Sequence, residues 1–226
     1  MKIVALIPFW SDYQSLDEDM VGRSLINIGG KSLIKRTVEM LNSIHLVEEV
    51  VVFASNDKVT NYLDDKAQYQ FIKRDQSLDS DSTSIEDIIE SFLQNSDAEV
   101  VVLIHPKSPF IKSKTIQTCI YKVSSGEFDS AFLAHSIKKH VWFRGERLNY
   151  SKGIDTPPLS DIDPILVETS SVYVFTRALF NKYRSRIGLK PYIKEIGPFE
   201  GFEVEKSDDF EMAELIINAG LDKERV

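Results

Sequence analysis

Three runs in the first half of this chain are apolar almost without interruption: "KIVALI" from Lys2, "EEVVVFAS" from Glu48 and "AEVVVLIH" from Ala98. Each has strand length and lacks the alternation of a strand with one wet face, so each is expected to be covered on both sides. Helical spacing separates them. In "KSLIKRTVEMLNSI" the apolar residues Leu33, Ile34, Val38 and Leu41 fall on one face, and "DKVTNYLDDKAQ", "SIEDIIESFLQN" and "KTIQTCIYKVSS" read as further helices. "YQFIK" and "FDSAFLAH" read as strands. Buried strands alternating with helices predict an α/β fold with a mostly parallel sheet covered on both faces. A length of 226 residues suits one such core, so residues 1–226 are expected to form a single domain.

The rhythm changes after His135. Residues 136–170 carry short alternating segments and Pro157-Pro158, and read as an excursion of antiparallel ribbon. "SVYVFT" returns to the core and "RALFNKYRS" is a helix. "YIKEIG" and "GFEVE" are expected as short strands, and "DDFEMAELIINAG" as a closing helix ended by Gly220.

Composition narrows the partners. With 27 Lys and Arg against 35 Asp and Glu, the net charge of −8 argues against nucleic acid polymers. The lone cysteine, Cys119, excludes a disulfide framework and fits a reducing cytoplasm, and its helical spacing with Ile116 and Val123 makes it a core residue. The apolar part of "MKIVALIP" is too short for a signal peptide, and no run approaches a membrane span. A cytoplasmic protein is expected.

In an open parallel sheet, ligands bind beyond the carboxyl ends of the strands. That rule ranks the loops Pro8 to Gly30, Ser55 to Asp57, His105 to Phe110, and the end of "GFEVE". "GGKS" is no Walker A loop, because Leu25 stands where the first glycine belongs, and a GxGxxG fingerprint is missing after the first strand. His45, His105, His135 and His140 lack metal-ligand spacing. Glu203 and Glu205, two apart on an expected strand, would share a face and could meet one metal ion.

"KIVALIP" leading to "GRSLINIGGKSLIKRTVE", then "VVFASND", "RDQSLDSDSTSIEDII", "VVLIHPKSPF", "ETSSVYVF" and "PYIKEIGPFEGFEVEKSDDFEMAELI" together resemble one family over nearly the whole chain. It comprises the cytidylyltransferases that activate acidic sugars: CMP-sialic acid synthetases and their pseudaminate, legionaminate and KDO relatives. The resemblance implies a Rossmann-like, GT-A-like nucleotidyltransferase fold, a three-layer sandwich, and a homodimer in which residues 136–170 form the dimerisation ribbon. It implies condensation of CTP with an acidic sugar, release of pyrophosphate, Mg²⁺ as cofactor, and a place in polysaccharide biosynthesis. It assigns Arg23, Glu203 and Glu205 to catalysis, the two glutamates as metal ligands. Pro8, Ser11, Arg23, Ser24, Ser55, Asn56, Arg74 and Asp81 would contact the nucleotide. Ser84, His105, Lys107, Glu168 and Tyr173 would contact the sugar.

The chain also departs from the family pattern. Where the family runs Ala-Arg-Xaa-Gly-Ser-Lys, this chain has Phe9-Trp10-Ser11-Asp12-Tyr13-Gln14, with Asp17, Glu18 and Asp19 following. An acidic loop repels a triphosphate unless metal or Arg23 offsets its charge. The family's Gln-Pro-Thr-Ser-Pro-Leu-Arg reads His105-Pro106-Lys107-Ser108-Pro109-Phe110-Ile111, and Val167 stands where an arginine often faces the sugar carboxylate. The family's Asp-Ile-Asp reads Glu203-Val204-Glu205. Three readings stay open at this point: a cytidylyltransferase, a transferase of another nucleotide or acid, and a catalytically silent paralogue that binds a sugar or a partner enzyme.

Overall fold

A computed structural model describes residues 1–9, 25–63, 67–151, 153 and 155–222. The apolar runs become β1 (Ile3–Phe9), β4 (Glu49–Ala54) and β6 (Val100–Ile104). Two-residue strands β2 (Asn27–Ile28) and β3 (Lys31–Ser32) make a small hairpin before α1 (Leu33–Asn42). Further along come β5 (Gln70–Lys73), α2 (Ile85–Gln94), α3 (Ser113–Ser124) and β7 (Ser130–Ile137). The rest is β8 (Trp142–Phe143), β9 (Glu146–Arg147), β10 (Ile165–Thr176), α4 (Arg177–Tyr183), β11 (Pro191–Ile196) and α5 (Ser207–Asn218).

The described residues build a seven-stranded sheet in the order β11-β7-β10-β6-β1-β4-β5. Neighbours pair in parallel except around β10, which runs against both β6 and β7. The expected α/β fold with a mostly parallel sheet is therefore present. Side chains alternate between its faces, and two cores result. On one face Ala5, Ile7, Val52 and Val102 pack under α1 and α3 through Ile34, Val38, Leu41, Ile116 and Cys119. On the other, Leu6, Val51, Phe53 and Leu103 pack under α2 and α4 through Ile88, Phe92, Leu179 and Phe180. Each fully buried Leu, Ile or Phe contributes roughly 1.5–3 kcal/mol relative to exposure.

The helix starts follow local chemistry. Ser32 caps α1 by accepting from the amide of Lys35. Ser84 and Asp87 form a reciprocal capping box on α2, satisfying amides that the helix leaves without partners.

Three expectations change. "DKVTNYLDDKAQ" was expected as a helix, but Asp57–Tyr62 is a short 3-10 turn capped by Asn56. Only Val59 is buried there, so no apolar face repeats, and Thr60 and Asn61 are weak helix formers. "GFEVE" is not a strand. The amides of Glu205 and Lys206 both donate to the Asp209 carboxylate at the start of α5, which removes them from any ladder, and Val204 makes a single bond to the Lys107 carbonyl at 2.8 Å. Finally, "SVYVFT" is only the end of a twelve-residue strand. β10 begins at Ile165, inside the expected excursion, and pairs there with Ile137 at the end of β7.

Residues 138–164 between those strands hold the β8–β9 hairpin, where Arg147 lies over the rings of Trp142 and Tyr150. Trp142, Phe143, Leu148 and Leu159 are exposed there, as are Leu166 and Val167 at the start of β10.

Candidate active site at the carboxyl end of the sheet

The chain leaves β1 toward β4 on one side, while β6 lies on its other side and leads onward to β7. The crevice of an open α/β sheet forms at such a reversal, beyond the carboxyl ends of β1 and β6. β1 ends there with Pro8 and Phe9, both buried. Ser11, Arg23 and Ser24 lie outside the described residues.

The β6 side is fully described. His105 follows the strand, its amide donating to the carbonyl of Ser171 on β10 at 2.9 Å. Burial, with the charges of Lys107 and Arg186 adding to it, pushes the His105 imidazole down to about 4. At neutral pH it is an uncharged hydrogen-bonding group.

Two residues on, the Lys107 ammonium lies 3.1 Å from Glu203 Oε2 and 3.4 Å from Glu205 Oε1. Alternation thus does bring the two carboxylates to one cation, without a sheet. A third core holds them. Val204, between them, is fully buried with Ile28, Leu33, Phe110 and Ala213, and Phe202 packs against the same group. Upstream, Gly201 passes so close to β7 that a Cβ there would lie 2.1 Å from the His135 ring, and His135 Nε2 meets the Gly201 carbonyl at 3.1 Å. Glu203 Oε1 is buried and makes no hydrogen bond among the described residues, although the side chain's other oxygen meets Lys107. A buried carboxylate oxygen with no donor is costly. Its environment suits a cation.

β10 adds the second wall. Its register shifts between Glu168 and Tyr173, and within that irregularity Thr169 donates to the Leu133 carbonyl and contacts the Ser171 hydroxyl. The bulge folds Glu168 back so that its carboxylate accepts the Tyr173 hydroxyl. Burial and that carboxylate push Tyr173 up to about 12. The Arg186 guanidinium covers the Tyr173 ring at 4.5 Å and pairs with Glu86 at 2.5 Å.

The remaining sequence candidates sit differently. Ser55 is buried at the end of β4, and Asn56 caps the 3-10 turn. Arg74 is enclosed, with one nitrogen on the Phe53 carbonyl and another on Asp79. Asp81 is exposed. Ser84 is engaged in the cap of α2. Cys119 is core, its thiol pushed up to about 12 by burial, which leaves no reactive thiolate.

Arg186 escaped sequence reasoning. It lies past the end of α4 in a segment without periodicity, and no pattern in "YRSRIG" signals that it turns back over Tyr173. The pairing of Lys107 with the glutamates was equally illegible, since the partners are nearly a hundred positions apart. Among the described residues, no group of three or more His, Cys, Asp or Glu could hold a metal ion. A cation at Glu203 and Glu205 would have two protein carboxylates and would take its other ligands from water or substrate, as Mg²⁺ does.

Comparison with known proteins bears on the family and the fold. A sequence model of the family described as Cytidylyltransferase matches residues 20–190. The N-acylneuraminate cytidylyltransferases of Streptococcus agalactiae serotype III (strain NEM316) and serotype Ia (strain A909) are each 19% identical over 218 residues, 93% of this chain and 52% of theirs. The chain spans about half the length of these curated relatives. Among solved structures, CMP:2-keto-3-deoxy-manno-octonic acid synthetase complexed with CTP superposes with a TM-score of 0.71 at 18% identity, covering 97% of this chain and 100% of that one. The 4-diphosphocytidyl-2C-methyl-D-erythritol synthase of Anaerococcus prevotii gives 0.64 at 14% identity, covering 96% of each. These likenesses fix the fold as Rossmann-like nucleotidyltransferase.

Proposed function

Because the chain belongs to the cytidylyltransferase family, we propose that it transfers a cytidylyl group from CTP to an acidic sugar of the sialic acid or KDO class. The sugar's anomeric hydroxyl oxygen forms a bond to the α-phosphorus and gives up its proton to solvent water. The bond from that phosphorus to the bridging oxygen breaks, and pyrophosphate leaves with its electron pair. The observation carrying this reading is the Glu203–Glu205 pair, held by a dedicated small core beside the β6 loop.

Those two carboxylates are the residues that would hold Mg²⁺, which when bound neutralises phosphate charge. The protein's own groups position and neutralise. His105, uncharged, offers a hydrogen bond without repelling or attracting a phosphate. Glu168, aligned by Tyr173, accepts a sugar hydroxyl. Arg186, lying over the Tyr173 ring beside Glu168, is the cation assigned to a substrate carboxylate, for which it would exchange its partner Glu86. The resemblance assigns Arg23 to the transferred phosphate and Ser11 and Ser24 to the nucleotide.

We further propose a homodimer in which the 136–170 excursion lies against the second copy, since its exposed Trp142, Phe143 and Leu159 would otherwise face water. A cytoplasmic location belongs to the same proposal, supported by the lone cysteine. Among the described residues, no helix is long and apolar enough to cross a membrane.

The test is pyrophosphate release with each nucleoside triphosphate, Mg²⁺ and a panel of 2-keto acid sugars. Release with CTP alone, dependent on an acidic sugar, is expected. A second reading, a silent paralogue, draws on the acidic loop at residues 12–19. It prevails if no triphosphate yields pyrophosphate and none raises the melting temperature at millimolar concentration.

A further inference from the structure

Lys107 is placed unlike an ordinary surface lysine. Its carbonyl accepts the amide of Val204, the residue between the two glutamates, and its side chain returns to both of them. Backbone and side chain thus grip the same three-residue segment. Lys107 and Glu203 are only 21% and 19% exposed, whereas Glu205 is 55% exposed, so the cluster opens to water on the Glu205 side. Two carboxylates and one ammonium leave a local charge of −1. Glu203 Oε1 remains buried and, among the described residues, without a donor. The ammonium therefore compensates the pair incompletely.

We propose that Lys107 is a built-in competitor of the divalent metal: its ammonium and a metal ion exclude each other at Glu203 and Glu205. This rests on the reading of the pair as a metal site. The physical case is electrostatic. An ammonium at 3.1–3.4 Å occupies the ground where a cation bound to the same oxygens would stand, and two cations there repel strongly in a half-buried setting. Lysine suits exchange because its charge is a point on a flexible stem, free to swing toward solvent through the open Glu205 side. A metal also satisfies what Lys107 leaves undone, the bare oxygen of Glu203. Loading then requires Lys107 to move away, and the freed ammonium stands next to any phosphate or carboxylate arriving with the metal. Apo protein is expected to hold metal weakly by design.

The experiment titrates Mn²⁺ into the full chain without nucleotide and follows free Mn²⁺ by electron paramagnetic resonance. Lys107→Met is expected to bind Mn²⁺ about tenfold more tightly than wild type, or better, because a competing unit charge is gone. Lys107→Arg, which keeps the charge, should stay near wild type. Lys107→Met combined with Glu203→Gln should lose the gain. Equal or weaker binding by Lys107→Met overturns the proposal, as does a gain that survives Glu203→Gln. Thermal melts check each fold, and Lys107→Gln replaces the Met variant if that one is not folded. No CTP is present, so this titration stands or falls separately from the pyrophosphate assay.

Discussion

Replacing Asp79 by alanine tests whether Arg74 is a strut of the fold or a nucleotide ligand. The Arg74 guanidinium is fully enclosed, donating to the Phe53 carbonyl at 3.2 Å and pairing with Asp79, itself 19% exposed. Its amide also binds the Ala54 carbonyl at 2.9 Å, so the residue ties the loop after β5 to the end of β4. Removing one partner of a buried pair takes away compensation from the other charge, at a cost of up to about 3–5 kcal/mol. Water can reach the Asp79 side, which sets the expectation at the lower end, about 3 kcal/mol. In a chain of this size, each kcal/mol shifts the melting temperature by about 2–4 °C, so a fall of roughly 6–12 °C is expected. Urea unfolding should show a lower midpoint at unchanged slope. The decisive comparison is Arg74→Met with Asp79→Ala together, which removes both charges and should recover to within about 1 kcal/mol of wild type. A single-variant loss below about 1 kcal/mol, or a double variant as unstable as the single, refutes the strut. A stable double variant that no longer responds to CTP would show that Arg74 also contacts nucleotide.

Gly201→Ala should lower the melting temperature because its Cβ would lie 2.1 Å from the His135 ring, and His135→Ala in the same chain should restore most of the loss. Two pH windows follow from linkage. His105 is held at about 4 in the folded chain against 6.5 ordinarily, so the unfolded chain takes up a proton that the folded chain refuses: stability is full above 6.5, falls toward 4, and should fall less in His105→Gln. Asp87, drawn down to about 2 from 3.8 by the Ser84 hydroxyl and amide and then by Arg184, contributes stability above 3.8 that is lost as pH drops through 2, so Asp87→Asn and wild type should converge in strong acid on urea titration. Trp142→Ser with Phe143→Ser should convert a dimer to the 25.8 kDa monomer by light scattering, whereas a wild-type chain already at that mass removes the dimer proposal.

How much of this was legible follows from range. β1, β4 and β6 announced themselves because apolar runs of strand length have few other fates, and α1 and α2 because their faces repeat over ten residues. Asp57–Tyr62 was misread because one buried residue cannot define a period. Glu203 and Glu205 do reach one lysine, but the strand expected to align them is not formed, because α5 takes the amides of Glu205 and Lys206 for its own start. Their neighbour Lys107, and Arg186 over Tyr173, depend on contacts between segments far apart in the chain, which no local pattern encodes.

The place of β10 between β6 and β7 has a consequence for how the chain is made. The strand that fills this gap leaves the ribosome about seventy residues after β6, several seconds later at ordinary synthesis rates. Until then β6 and β7 each offer an open edge, and they point the same way, so each is a ready template for the other. A direct β6–β7 ladder would seal the slot that β10 must occupy and would have to be undone. Nascent protein is therefore most vulnerable to mispairing and aggregation while residues 138–176 are being synthesised, a window in which a chaperone covering β7 would raise the yield of folded chain.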